Sequence, residues 1–325
     1  MHRIHLLVLA LPTFLIACGG SSIDAMRSGM PNSQTVQLQF PNQPGQHLDS
    51  GGQQQQAQLG ATAGFYVVTR GVTVLVNVST ALILGLVKAI TDNPPTSFHG
   101  NVAVWGPWTD ALSPNTYRLT VFDNGNYHYS YALEGKAKQD PDTAYVTILS
   151  GSHTAAVDSS GHPINGFGNG TFVINWDNAA SLPQHDPNNM GSARFTYDRM
   201  TATAQVTIDV TFTQVWDSGT NRRIDANYHY ASTPGGDGLF QFSTYQNTQA
   251  GGIQRFAIES RWKNNGAGRS DVIVTGGALS QPATINECWD QFFNSQFLQV
   301  SYDPSQNYGV EATACVFIPA EYSPL

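Results

Sequence analysis

Thr116-Tyr117-Arg118-Leu119-Thr120-Val121-Phe122-Asp123-Asn124-Gly125-Asn126-Tyr127-His128-Tyr129-Ser130-Tyr131-Ala132-Leu133 reads as two alternating runs joined through Asn-Gly. Alternation with a period of two is the mark of a strand buried on one face. Asn and Gly both accept positive φ, so together they supply a tight hairpin turn. Tyr127, Tyr129, Tyr131 and Leu133 fall on one side of the second run. His128, Ser130 and Ala132 fall on the other.

The same pattern spreads in both directions. Thr203 to Trp216 puts Ala204, Val206, Ile208, Val210 and Phe212 on one face and Thr203, Gln205, Thr207, Asp209 and Thr211 on the other. Arg222 to Tyr230, Leu239 to Tyr245, Gln254 to Trp262 and Asp271 to Thr275 repeat it, with Asn264-Asn265-Gly266 as a turn. Ser152 to Val157 and Thr171 to Trp176 flank Gly161 to Gly170, which reads as a long hairpin loop. About ten strands are expected from Val102 to Thr275. A short helix is expected around Cys288-Trp289-Asp290.

Upstream the period changes. Leu75, Val78, Leu82, Leu86 and Ile90 stand at helical spacing in a stretch without charge from Gly71 to Val87, and Asp92-Asn93-Pro94-Pro95 ends it. The competing readings are a short membrane span and, for Val72 to Val78, a β-branched strand. One long helix packed on a sheet is preferred. The expected fold is mainly β: an antiparallel curved sheet or barrel with one long N-terminal helix, forming a single domain over 61–325. Curvature of that kind leaves a cavity more often than a flat sandwich does.

The first residues carry a different signal. Arg3 precedes an apolar run from Leu6 to Ile16, and Leu15-Ile16-Ala17-Cys18 is followed by Gly19-Gly20-Ser21-Ser22. Basic, apolar and small-residue segments in this order make a secretory signal. The large aliphatic, aliphatic, small, Cys order resembles the lipobox of bacterial lipoproteins. The resemblance covers residues 1–18 only and implies cleavage before Cys18, with a diacylglyceryl group on its sulfur and an acyl chain such as palmitate on its amine. Gly19 in place of Asp implies release to the outer membrane. The membrane, through this lipid, is then the first expected partner. Residues 18–60 are rich in Gly, Gln and Pro and read as a disordered tether of about 40 residues spanning ~35 Å. Within it Val36-Gln37-Leu38-Gln39-Phe40 alternates, as a short strand or docking segment would.

Charged residues make up only 12% of the chain. With Arg3 lost alongside the signal, 14 basic residues stand against 23 acidic ones, a net −9. A negative chain without a basic run argues against nucleic acid as a partner. Setting Cys18 aside leaves Cys288 and Cys315, an even pair that reads as a disulfide in an oxidising compartment.

Candidate chemistry is sparse. Asn126-Tyr127-His128-Tyr129 recurs as Asn227-Tyr228-His229-Tyr230, and His128 with His229 is the candidate metal pair, helped by Asp209 or Asp225. Two solvent-facing strand histidines are the simpler reading. Asp209, Asp225, Glu259 and Asp271 read as wet-face acids from which a glycosidase would need one pair. No nucleophile motif occurs, no cofactor is implied, and no catalytic or ligand-binding residue stands out. The expected function is therefore a non-catalytic, lipid-anchored envelope lipoprotein binding an apolar ligand or a partner protein in its curved sheet. An envelope hydrolase acting on glycan or lipid, and a purely structural surface lipoprotein, are the alternatives.

Overall fold

The computed structural model describes residues 23–28, 30–32, 35–41, 58–109, 113–184, 190–217, 219–248 and 252–325. The signal segment 1–17 and Cys18 lie outside the described residues.

Among the described residues fourteen antiparallel strands form one sheet in which each strand pairs with its neighbours in sequence. They are β1 (Ser97–His99), β2 (Val102–Trp108), β3 (Asn115–Asp123), β4 (His128–Ala137), β5 (Val146–Val157), β6 (Pro163–Asn175), β7 (Ser192–Arg199), β8 (Val206–Asp217), β9 (Arg222–Ser232), β10 (Gly238–Asn247), β11 (Ile253–Trp262), β12 (Gly268–Gly276), β13 (Ala283–Trp289) and β14 (Ser295–Val300). Among the described residues four α-helices accompany them: α1 (Ile23–Ser28), α2 (Gly64–Thr91), α3 (Trp176–Ala180) and α4 (Glu311–Ala314).

The sheet is open and does not close into the barrel that was one of the two expected forms, because β1 and β14 stand at opposite edges. At the β14 edge, Leu298 bridges Tyr308, and Asn294, just before the strand, bridges Thr62. Those bridges satisfy edge groups that would otherwise template another chain. Nor does a single N-terminal helix precede the sheet. The first helix among the described residues is the short α1, and α2 begins only at Gly64.

Helix α2 lies across the sheet. Glu287 on β13 meets its first residues, and Trp105 Nε1 on β2 donates to the Asn93 carbonyl just past its end at 2.8 Å. Eleven strand spacings separate β2 from β13, about 50 Å along the sheet. A 28-residue helix spans only about 40 Å. The sheet must therefore bow around the helix.

The face that α2 turns inward is not the most apolar one. Tyr66, Thr69, Thr73, Val76, Thr80, Leu84, Val87 and Thr91 are buried. The threonines tolerate this because their hydroxyls donate back to carbonyls four residues earlier: Thr69 to Phe65, Thr73 to Thr69, Thr80 to Val76 and Thr91 to Val87. Leu75, expected inward, is 65% exposed, beside Val67 and Val74. The side chains at 78, 82, 83 and 86 lie outside the described residues.

Part of the expected tether is also packed on this inner face. Met26, Met30, Val36 and Leu38 are buried in the main core, and Phe40 lies 4.7 Å from Trp262, ring centre to ring centre. Asn77 of α2 holds Leu38 through both its backbone groups, and Tyr230 Oη does the same for Gln39. The alternating run at 36–40 is thus the docking segment of the two forms expected. Its few apolar side chains suffice because Val36 and Leu38 are buried in the core and the Phe40 ring packs on Tyr66 of α2 and Trp262 of β11. Residues 42–57 lie outside the described residues.

Three local expectations need correction. Tyr127 sits in the hairpin turn at φ 57 and is exposed, whereas Tyr129, Tyr131 and Leu133 are buried as their alternation predicts. The Gly161 to Gly170 stretch is mostly strand, since β6 starts at Pro163. Its glycines are there for space: a Cβ on Gly170 would sit 2.6 Å from Tyr197 Oη, and one on Gly168 2.8 Å from His153 Cε1. The residues around Cys288 are strand β13, not helix.

Cys288 and Cys315 form a disulfide. It fastens residues 301–325 back over the outer face of β10–β13. Closing a loop of 27 residues contributes roughly 3–4 kcal/mol in the chain-entropy view.

Candidate functional site

Strand register decides which side chains meet on the outer face. Ser130 on β4 stands opposite Ser152 on β5, then Thr171, Thr196, Asp209, His229, Gln241, Glu259, Asp271, Asn286 and Gln299 follow on successive strands to β14. Eleven strands thus carry an unbroken polar row. A second row beside it holds His128, Thr154, Asn169, Asp198 and Thr207.

The two halves of the long row differ. Across β5–β8 it is open to solvent and lines a cleft of about 390 Å³ with Ser152, Thr154, Asn169, Thr171, Thr196, Asp198, Thr207 and Asp209. Hydroxyl, amide and carboxylate groups alternate there, and no Lys or Arg lines the cleft. At its edge His229 Nδ1 lies 2.7 Å from Asp209 Oδ1. Such a lining offers donors and acceptors in a fixed grid, with the Tyr197 ring and Gly170 between them.

Under the C-terminal segment the row is buried. Asp271 accepts from Arg269 Nε at 2.6 Å, Asn286 Nδ2 at 2.7 Å, Arg261 Nη2 at 2.9 Å and the Glu321 amide at 3.0 Å. Arg269 also reaches Glu311 at 2.6 Å and the Phe317 carbonyl at 2.9 Å. Arg261 contacts Glu321 at 2.7 Å and the Pro319 carbonyl at 3.2 Å. Glu259 accepts from Gln241 at 2.8 Å. Burial raises its carboxyl above the ordinary range, opposed by the Gln241 bond and the Arg261 charge. Expected as wet-face acids, Glu259 and Asp271 are therefore buried. Their alternation gave the right face, but the covering chain comes from residues fifty positions away.

The candidate metal pair is not assembled. His128 is on β4 and His229 on β9, five strands apart, about 24 Å along the sheet. Asp225 accepts from Gln214 instead. Among the described residues no group of three His, Cys, Asp or Glu is placed to hold a metal ion. Likewise, no described helix is long and apolar enough to cross a membrane.

The cleft residues Ser152, Thr154, Asn169, Thr171, Thr196, Asp198 and Thr207 were not singled out from the sequence. The signal was present as the polar half of each alternating run, but it becomes a site only once register aligns the runs. Comparison with known proteins gave no match to a family model, to a curated protein or to a solved structure.

Proposed function

We propose that this chain is a lipid-anchored lipoprotein of the bacterial envelope, held at the outer membrane through Cys18, with a non-catalytic binding role. The outer face of β5–β9 takes a neutral or cationic ligand rich in hydroxyl and amide groups, the chemistry of an envelope glycan. The observation that carries this is the open polar row Ser152, Thr171, Thr196 and Asp209, whose grid of hydrogen-bonding groups lines the cleft. Asp198 and Asp209, with no cation in the lining, disfavour an anionic ligand. The inner face is filled by α2 and the 35–41 segment, which argues against an apolar ligand there.

The full chain with Cys18→Ser, secreted and purified, is the material for the test. Titration with a neutral chito-oligosaccharide is expected to show saturable binding. Thr171→Val with Thr196→Val removes two hydrogen-bonding groups of ~1 kcal/mol each and is expected to weaken it about tenfold or more. Absence of binding to neutral glycans, or indifference to the double substitution, overturns the reading.

The His229–Asp209 contact favours a second reading, a hydrolase acting on the same ligand. Intact oligosaccharide after prolonged incubation supports the first reading. Cleavage that disappears with His229→Ala supports the second.

A further inference from the structure

The position of α1 fixes how the body stands relative to its anchor. Cys18 precedes Ile23 by five residues, a reach of at most ~18 Å when fully extended. Ile23 packs against the main core and Met26 is fully buried. Arg27 ties the same helix to the end of α2, donating Nε to the Thr91 carbonyl at 2.7 Å and Nη2 to the Asn93 carbonyl at 2.8 Å. The chain therefore leaves the body on the helix-bearing side of the sheet, beside the C-terminal end of α2. A long tether between lipid and body is excluded once Cys18 is the lipidated residue.

That same side carries an apolar surface. Helix α2 buries a threonine-bearing face and turns Val67, Val74 and Leu75 to the outside at 44%, 41% and 65% exposure. Gly71, Ala81 and Gly85 lie along the same side, and no charged residue occurs from Gly71 to Val87. Sequestering the threonines while exposing leucine and valine is the reverse of what water favours. It is what an interfacial helix shows when its apolar face meets acyl chains.

We infer that the outward face of α2 lies against the bilayer that holds the Cys18 lipid, so that the sheet's outer polar row points away from the membrane. The inference rests on the lipoprotein reading above. Anchor and helix face act together: the lipid supplies the attachment and the helix fixes the orientation.

The test uses the full chain processed in a bacterial host and reconstituted into vesicles of phosphatidylethanolamine and phosphatidylglycerol, with and without spin-labelled lipid. An environment-sensitive fluorophore is placed at Leu75→Cys, at Val67→Cys and, as the outer-face control, at Asn227→Cys. Emission from 75 and 67 is expected to shift to the blue and to be quenched by the spin-labelled lipid, while 227 stays water-like. Vesicle-bound protein carrying lipid on Cys18 but reporting water at 75 overturns the inference and leaves the lipoprotein reading intact. A blue shift at 75 already present in the soluble Cys18→Ser chain also overturns it, because protein then covers the face. Mass analysis that finds Cys18 without lipid overturns both.

Discussion

Glu287, on β13, caps the helix that begins at Gly64. Its carboxylate accepts the Phe65 amide at 2.7 Å and the Gly64 amide at 3.1 Å. The residue at the helix's own N-cap position, Ala63, has no side chain to do this. Ser295 Oγ donates to the same carboxylate at 2.9 Å. A buried acid thus ties α2 to β13 and sets where the helix starts its crossing of the sheet.

Removing that acid has a definite cost. Glu287→Ala leaves two helix amides without an acceptor in a dry site and is expected to cost ~2–4 kcal/mol, read from denaturant unfolding. Glu287→Gln, which keeps an acceptor oxygen, is expected to cost less. A loss under ~1 kcal/mol for Glu287→Ala contradicts the role.

The same residue gives a pH signature. Burial raises the Glu287 carboxyl above its ordinary 4.5, against the bonds from Phe65, Ser295 and Gly64. An acid whose pKa is higher folded than unfolded binds its proton more tightly in the folded state. Its contribution is present in full below about 4.5 and is lost as pH rises through the folded pKa. The stability difference between the wild-type chain and Glu287→Gln is expected to narrow in that direction, and a constant difference across the window contradicts it.

His153 has the opposite sign. It is buried on the inner face with Nδ1 2.8 Å from Tyr197 Oη. Burial lowers its pKa to about 4, helped by the His128 charge and opposed by the Phe167 carbonyl. Unfolding frees the imidazole to take a proton near 6.5, so its contribution is present above that pH and lost as pH falls from 6.5 towards about 4. That difference corresponds to roughly 3 kcal/mol. His153→Gln is expected to flatten the stability profile between these pH values.

On the outer face, Arg269→Ala is expected to cost ~3–5 kcal/mol, since it leaves the fully buried Asp271 short of its nearest cation. Glu311 and the Phe317 carbonyl lose their partner at the same time, so hydrogen exchange over residues 304–325 is expected to accelerate. Cys315→Ser is expected to loosen the same segment and to cost roughly 3 kcal/mol.

How much of this was open to sequence reading depends on range. The β3–β4 hairpin and the two faces of β8 follow from local alternation, and Tyr129, Tyr131, Ile208 and Val210 are buried as that alternation requires. Tyr127 escaped because the turn takes Asn126 and Tyr127, both at positive φ, in addition to Asn124-Gly125, which lifts Tyr127 out of the strand. The glycines of β6 imitated a loop because the side chains that need their space, Tyr197 and His153, lie on other strands. Glu259 and Asp271 were assigned to the right face but the wrong environment, since burial there depends on a distant segment. The threonine face of α2 was the hardest to foresee. Hydropathy places threonine outside, and only its bond to a carbonyl one turn back makes it acceptable inside. The polar row needed register across eleven strands, which no single run of sequence contains.

The most direct measurement is the mass of the N-terminal peptide of the full chain recovered from a bacterial envelope. The account predicts that the peptide begins at Cys18, with a diacylglyceryl group on its sulfur and an acyl chain on its amine. A peptide that begins elsewhere, or a Cys18 with a free thiol, contradicts it.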